Sequence, residues 1–398
     1  MTQAFAGIRV LDFSQVIAGP FAAQLFNMLG ADVIKVEQPD GGDQMRGFLQ
    51  IEEPKHPKMS PSFMTFNAGK RSVAINLKAD DAHEIILRLA KTSDVLVENF
   101  RAGVIKRLGF GYDVIREIRP DIIYCSISGY GQSGPRSGEP AYDGAIQAAS
   151  GMMACTGHPE TGPTRANYTP VDISTGLTAA FAIASALYRR QVTGEGQFID
   201  VAMLDTAISL QAIHYASFLA GGPPAGLMGN GSPLGMPTAD SFATKDGQIL
   251  VLAPTEQQAK AFLHGIGLGD LFIKPGFDDR NGLIANRAAV HEKIAARLQT
   301  KTSDAWLEQL AEAGVAVSKV RPIPDVCKDP QLETRSILTE VAAPNTQDSS
   351  VPVVGAAFVA DSDGPQLRAG PPELGQQTHL VLRELGYSDE QIARLRLT

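Results

Sequence analysis

Apolar residues in the N-terminal half alternate between short continuous runs and segments of helical spacing. Ile8 to Phe13 reads as a short apolar strand, and Gly19-Pro20 opens a helix running to about Leu29. Asp32 to Val36 reads as a second strand, and Ser72 to Leu77, Val95 to Val97 and Ile122 to Ile127 continue the set. Between them, Asp80 to Leu89, Gly103 to Leu108 and Tyr112 to Ile118 carry helical periodicity. Strands and helices alternating in this way predict an α/β fold, a doubly wound parallel sheet.

From Ile173 to Arg190 nearly every helical face is apolar, which predicts a helix buried by neighbours on all sides. Arg189 and Arg190 suit its last turn and Gly194 its stop. Gln197 to Val201 is strand-like and Leu204 to Leu219 helical. The pattern breaks at Gly221-Gly222-Pro223-Pro224, a connector. Beyond it, Gln248 to Ala253 reads as a strand, with helices at Glu256 to Ile266 and Arg287 to Thr300. A large domain is thus expected over residues 1–220 and a smaller α/β domain over 225–325. A tail, 330–398, contains a Pro/Gly-rich passage from Ala343 to Gly375, then helical pieces at Thr378 to Gly386 and Ser388 to Leu397. Two short helices bury little alone, so the tail is expected to pack back on the large domain.

Composition narrows what such a fold does. Hydrophobic residues make up 44% and charged residues 20% of the 398, enough for a large core and against wholesale disorder. A net charge of −8 argues against non-specific nucleic-acid binding, because the chain as a whole repels phosphate. A local basic patch for a small phosphorylated ligand is still compatible with it. Three cysteines, Cys125, Cys155 and Cys327, show no CxxC spacing, so neither a disulfide framework nor a zinc site is expected and a reducing compartment fits. Met1 to Ala6 lacks the basic segment and apolar core of a signal peptide. The apolar run around Leu177 to Tyr188 is short and alanine-rich for a bilayer span. A cytoplasmic protein without membrane or nucleic-acid partners is expected.

Candidate chemistry is sparse. The first strand, turn and helix, Val10 to Pro20, suggest a nucleotide site, and Glu37 closes the second strand. But the G-x-G-x-x-G fingerprint is absent and Pro20 removes an amide from the turn, so no dinucleotide cofactor is expected. The histidines His56, His83, His158, His214, His264, His291 and His379 show no metal-ligand spacing, and no metal is expected. Asp172 is the only acid between Glu160 and Glu195, at the mouth of the long apolar helix. It reads either as an N-cap or as a carboxylate kept ionised by the helix end and able to attack an acyl group. Asp143, after Tyr142, reads as a helix start. Lys70-Arg71 and Arg101 to Arg107 are basic clusters. Val97 to Phe100 ends a strand, where ligands of open α/β sheets gather; Phe100 suits stacking on a base and Arg107 a phosphate.

The ordered segments resemble the family III CoA-transferases, the group of formyl-CoA transferase and the carnitine-related enzymes. The resemblance is carried by Gly7 to Phe13 with Ala18-Gly19-Pro20, Leu29 to Glu37, Asn67 to Ser72, Val97 to Gly103, Ser128 to Gly131, Val171 to Gly176, Thr193 to Gln197 and Pro372 to Gly386. It implies a substrate, a coenzyme A thioester, and no tightly bound cofactor. The family's catalytic aspartate falls on Asp172, whose carboxylate is implied to form a mixed anhydride and then an aspartyl-CoA thioester. Gln15, Val16, Ile17 and Ala18 match the loop at the acyl and pantetheine end. Val16 and Ile17 are apolar where formyl-CoA transferase has a polar side chain, which argues against a formyl or oxalyl preference. Asn99, Phe100 and Arg107 match residues around the CoA nucleotide, and Gln38 stands where some relatives carry arginine. Lys70, Arg71 and Tyr142 join this binding set. Gly229, Asn230 and Gly231 correspond to a mobile glycine loop. The resemblance also implies an interlocked homodimer.

Racemases of this fold use a Gly-His-Asp segment for α-proton exchange. The matching stretch is Ala141-Tyr142-Asp143, which lacks that base and favours transfer. A non-catalytic CoA-binding protein is the other alternative. Small carboxylic acids, including C4 and C5 dicarboxylates, are the expected acceptors, with Arg46, Arg71 or Arg165 as candidate partners for a second carboxylate.

Overall fold

The computed structural model describes residues 3–48, 59–343 and 349–395; His56 and the end of the second tail helix at Leu397 lie outside them. The described residues form two compact units. The larger draws on Met1–Met152, Ala166–Gly222 and Pro330–Thr398, the smaller on Met153–Arg165 and Pro223–Asp329. Residues 153–165 therefore belong with the smaller unit, although sequence continuity assigns them to the large domain.

The large unit is built on a six-stranded parallel sheet. Its spatial order is Arg71–Ala74, Asp32–Glu37, Arg9–Asp12, Val95–Glu98, Ile123–Ser128 and Gln197–Ala202. Side chains alternate between its faces, as the period of a strand requires. Leu11, Ile34 and Leu96 join one core with Ile85, Leu89, Phe110 and Ile115. Val10, Val33, Val95 and Val97 join the other with Phe26, Ala179, Ile183 and Ala186. Both faces are covered, as in doubly wound sheets.

The second core is closed by the helices Ala18–Met28 and Pro170–Thr193. The latter has 24 residues and by length and composition alone is long and apolar enough to cross a membrane. It is longer than the Leu177 to Tyr188 run suggested. Nor is it buried on all sides: Val171, Thr175, Ala179 and Ile183 face inward, while Phe181 and Tyr188 are 77% and 71% exposed. Leu204 to Leu219 is two helices, Met203–Leu210 and Ala212–Leu219, meeting at Gln211.

The tail does return to the sheet. Leu338–Ala342 and Ser350–Val354 pair antiparallel, the second strand lying inside what reads as a Pro/Gly-rich passage. Farther on, the Gln377 amide donates to the Ser72 carbonyl at 3.0 Å. Its side chain accepts the Ser72 amide at 2.8 Å, and Thr378 Oγ1 accepts the Ala74 amide at 3.0 Å. The edge strand is thereby sealed, and Val381 and Leu382 of the helix Thr378–Glu384 enter the first core.

The smaller unit holds an antiparallel sheet ordered Ala316–Lys319, Gln248–Leu252, Ala239–Ala243. Helices Glu256–Gly265, Arg287–Leu298 and Ser303–Glu312 cover a core around Phe242, Phe262 and Trp306. The Trp306 indole N–H is satisfied by the Leu298 carbonyl at 2.8 Å.

Gly176 allows the two helices of the second core to meet. A Cβ there would stand 2.8 Å from the Ala18 carbonyl oxygen and 2.9 Å from Phe21 Cδ1. Gly176→Ala is expected to destabilise the protein by about 1–3 kcal/mol through overpacking. The measurement is a lower urea midpoint with an unchanged slope.

Candidate functional site

The strand order reverses between Arg9–Asp12 and Val95–Glu98, and the loops leaving their C-terminal ends part there. In open α/β sheets such a reversal opens the crevice in which ligands bind. A cavity of about 320 Å³ lies at this point. The first loop contributes Gln15, Val16, Ile17 and Ala18; the second contributes Asn99, Phe100 and Arg101. Ser128 and Gly129, at the end of the neighbouring strand, also line it, as do Tyr142, Asp172 and Met203.

The first loop is held from several sides. Asn99 binds both backbone groups of Gln15: Oδ1 accepts its amide at 2.8 Å, and Nδ2 donates to its carbonyl at 2.7 Å. Val16 has a left-handed backbone, φ 70°, a conformation that costs a β-branched residue about 1–3 kcal/mol. Its amide donates to Asp43 Oδ1 at 3.1 Å. The other Asp43 oxygen pairs with Lys35 Nζ at 2.8 Å, both side chains fully buried. Lys35 Nζ also donates to the Ser14 carbonyl at 2.7 Å. Burial alone would lower the Lys35 pKa, but Asp43, Asp12 and Glu37 outweigh it and hold the ammonium above its usual range. The second loop is held by Glu98, whose Oε2 accepts the Phe100 amide at 2.9 Å. Burial pushes the Glu98 carboxyl up to about 7, against the hydrogen bond it receives from Ser126.

Asp172 is not the N-cap of its helix. Thr169 occupies that position in a left-handed conformation, without a side-chain cap, and Asp172 lies in the first turn. The free amides are taken instead by Asp143, whose Oδ2 accepts from Val171 at 2.8 Å and from Asp172 at 3.0 Å. Asp143 also does not cap its own helix, Asp143–Ala149. Gln147 Nε2 donates to its Oδ1 at 2.5 Å, and Gln147 Oε1 accepts the Ala166 amide at 2.9 Å. With the helix amides already used, the Asp172 carboxylate gains none of them. Burial, and then the neighbouring Asp143, push its carboxyl up to about 7. The helix end thus does not keep Asp172 at an ordinary aspartate pKa, contrary to the expectation from sequence.

Of the expected site residues, Gln15, Val16, Ile17, Ala18, Asn99, Phe100, Tyr142 and Asp172 share the cavity wall. Others stand elsewhere in the structure. Lys70 is fully buried, paired with Asp12 at 2.9 Å, and donates to the Pro20 carbonyl; burial lowers it to about 8 despite that partner. Arg71 spans Asp32 and Glu384 at the sheet edge. Gln38 Nε2 donates to the Gly42 carbonyl at 3.3 Å, and Arg107 is exposed at the end of the helix Val104–Arg107. Arg46, a candidate for a second carboxylate, is buried against Glu37 and the Pro372 carbonyl. Gly229 and Gly231 belong to the smaller unit, where the Gly229 amide donates to the Gly157 carbonyl at 2.9 Å.

Sequence reading missed Asp43, the helix-supporting role of Asp143, and the wall residues Gln44, Glu139 and Met203. Gly41-Gly42-Asp43 after a strand is a turn signal that flags Asp43 locally; nothing local ties Asp143 to a helix starting 27 residues later. Among the described residues no group of three or more His, Cys, Asp or Glu side chains is arranged to hold a metal ion.

Residues 5–378 match the model of CoA-transferase family III. The chain is 34% identical over 381 residues to acetyl-CoA:oxalate CoA-transferase of Acetobacter aceti, covering 96% of this chain and 95% of that one. It is 34% identical over 391 residues to human succinyl-CoA:glutarate CoA-transferase, covering 98% and 88%. The crystal structure of a CAIB/BAIF family protein from Brucella suis superposes with a TM-score of 0.87 at 30% identity, covering 97% of this chain and all of that one. With that match along nearly its whole length, the chain belongs to the family III CoA-transferases.

Proposed function

We propose that this enzyme moves CoA from an acyl-CoA thioester to a small dicarboxylic acid, with Asp172 as the nucleophile. The observation that carries this is a half-buried carboxylate, with its pKa pushed up to about 7, in the switch-point cavity. An Asp172 oxygen attacks the thioester carbonyl, the C–S bond breaks, and CoA leaves as thiolate. The product is a mixed anhydride between Asp172 and the acyl group. The thiolate attacks the aspartyl carbonyl, releasing the donor acid and leaving an aspartyl-CoA thioester. The acceptor carboxylate then displaces the thiolate to form a second anhydride. Thiolate attack on the acceptor carbonyl releases the new acyl-CoA and restores Asp172. An elevated pKa suits this role: the carboxylate is more basic than an ordinary aspartate, yet about half of it is ionised at neutral pH.

Two wall features bear on the substrates. Val16 and Ile17 are apolar and suit the methylenes of a C4 or C5 acid. Among the described residues lining the cavity Arg101 is the one cation, and it supplies counter-charge for an anionic end. The relatives named for oxalate and glutarate support a dicarboxylate acceptor. We also infer a homodimer: Leu177, Phe181, Tyr188 and Val192 form an exposed apolar stripe along one helix, and Ile213 and Leu219 expose more such surface. Sedimentation at micromolar concentration should give a dimer; a stable monomer overturns that inference.

Incubation with an acyl-CoA followed by hydroxylamine is expected to place a hydroxamate on Asp172, read by mass spectrometry. Unlabelled protein that still exchanges α-protons with deuterium would instead indicate a racemase. Asp172→Asn should lose turnover by roughly 10³-fold or more while remaining folded.

The reactive species is the ionised carboxylate, so kcat/KM should rise with pH through about 7 and then level off. Stability runs the other way. A folded-state pKa raised above the unfolded value means that the native protein loses stability as pH climbs from about 4 to 7. Asp172→Asn removes that penalty, so its melting temperature should exceed the native one at pH 8, with the gap closing toward pH 4.

A further inference from the structure

Val16 faces the cavity in a conformation that a β-branched side chain rarely adopts. Such strain persists only where the surroundings over-determine it. Here the surroundings are a buried charge pair that no step of the transfer uses. Asp43 divides its oxygens between two tasks. Oδ1 accepts the amides of Val16 at 3.1 Å and Met45 at 2.9 Å, while Oδ2 meets Lys35 at 2.8 Å. Lys35 in turn holds the Ser14 carbonyl, two residues before Val16. One ion pair therefore holds the loop at two points, the Ser14 carbonyl and the Val16 amide. The same Asp43 starts the short helix Gln44–Gly47, whose Gln44 also lines the cavity. A fully buried ion pair is poor value for stability alone, because desolvation offsets its attraction. Its geometric effect is definite: it fixes where the Val16 wall stands.

We propose that Lys35 and Asp43 are positioning residues that lock Val16 in its left-handed conformation and so set one wall of the cavity that Asp172 also lines. The proposal rests on the transfer reading above. Without the pair, Val16 relaxes to an ordinary φ and the wall moves. A thioester then seats out of line with the attacking carboxylate. The loss appears in kcat more than in KM, since a displaced wall disturbs alignment rather than contact area.

The test is a cycle in the full-length protein. Lys35→Met with Asp43→Ala removes both charges together, leaving neither buried partner alone. In the native background this double substitution is expected to lower kcat by about tenfold or more with KM little changed. With Val16→Gly added, the comparison is made against Val16→Gly alone. Glycine takes a positive φ without an anchor, so removing the pair should then cost less than about threefold. Equal losses in the two backgrounds overturn the proposal and reduce the pair to a structural role. Should the Lys35→Met/Asp43→Ala protein fail to fold, as read by circular dichroism, recovery of the fold on adding Val16→Gly supports the proposal and no recovery overturns it. Failure of the transfer reading shows differently: the native enzyme itself gives no hydroxamate on Asp172, and the proposal falls with it.

Discussion

The site depends on one carboxylate accepting two amides. Asp143 binds the Val171 and Asp172 N–H groups, which a helix otherwise leaves unsatisfied at its start. This single contact has three effects. It fixes where the Pro170–Thr193 helix begins, and hence where Asp172 stands over the end of the sheet. It uses the donors that would stabilise an ionised Asp172, and it brings a second negative charge close. Burial does most of the rest, and the Asp172 carboxyl rises to about 7. Capping from position 143 leaves the Asp172 carboxylate without a backbone partner, as the proposed nucleophile requires.

The same division of labour runs through the neighbouring loops. The groups that touch the cavity are mostly apolar, amide or aromatic, while the buried charges lie behind them. Lys35, Asp43, Asp12 and Lys70 form a layer beneath the first loop, and Glu98 and Ser126 stand beneath the second. Each buried charge in the first layer has an opposite partner, without which burial would cost several kcal/mol. Rigid loops follow, and rigidity is what a site of aligned groups requires.

Much of this was legible along the chain. The sheet announced itself through apolar runs such as Val33-Ile34 and Leu96-Val97, because a strand covered on both faces has no polar side to show. The strand end at Val97 to Phe100 pointed to the cavity and the family resemblance brought in Gln15 to Ala18; both sets lie on its wall. Lys70 and Arg71 misled for a physical reason: a cation in sequence carries no sign of whether its partner is a ligand or a carboxylate such as Asp12 or Glu384, far along the chain. Asp143 does start a helix as its sequence suggests, but its support of the later one went unseen because those partners are 28 and 29 residues away. The exposed side of the Pro170–Thr193 helix was missed because apolarity on all faces reports what a helix avoids, not what covers it.

The sealed sheet edge has a consequence in time. Ser72 and Ala74 lie early in the chain, but the groups that close their edge, Gln377 and Thr378, lie 305 and 304 residues later. At ordinary rates of synthesis that separation is roughly 15–60 s. Throughout that interval the nascent sheet presents open backbone donors and acceptors, the feature that recruits strands from other chains. A segment made much later is thus the one that ends this exposure, and the chain's safety during its own synthesis rests on residues that do not yet exist.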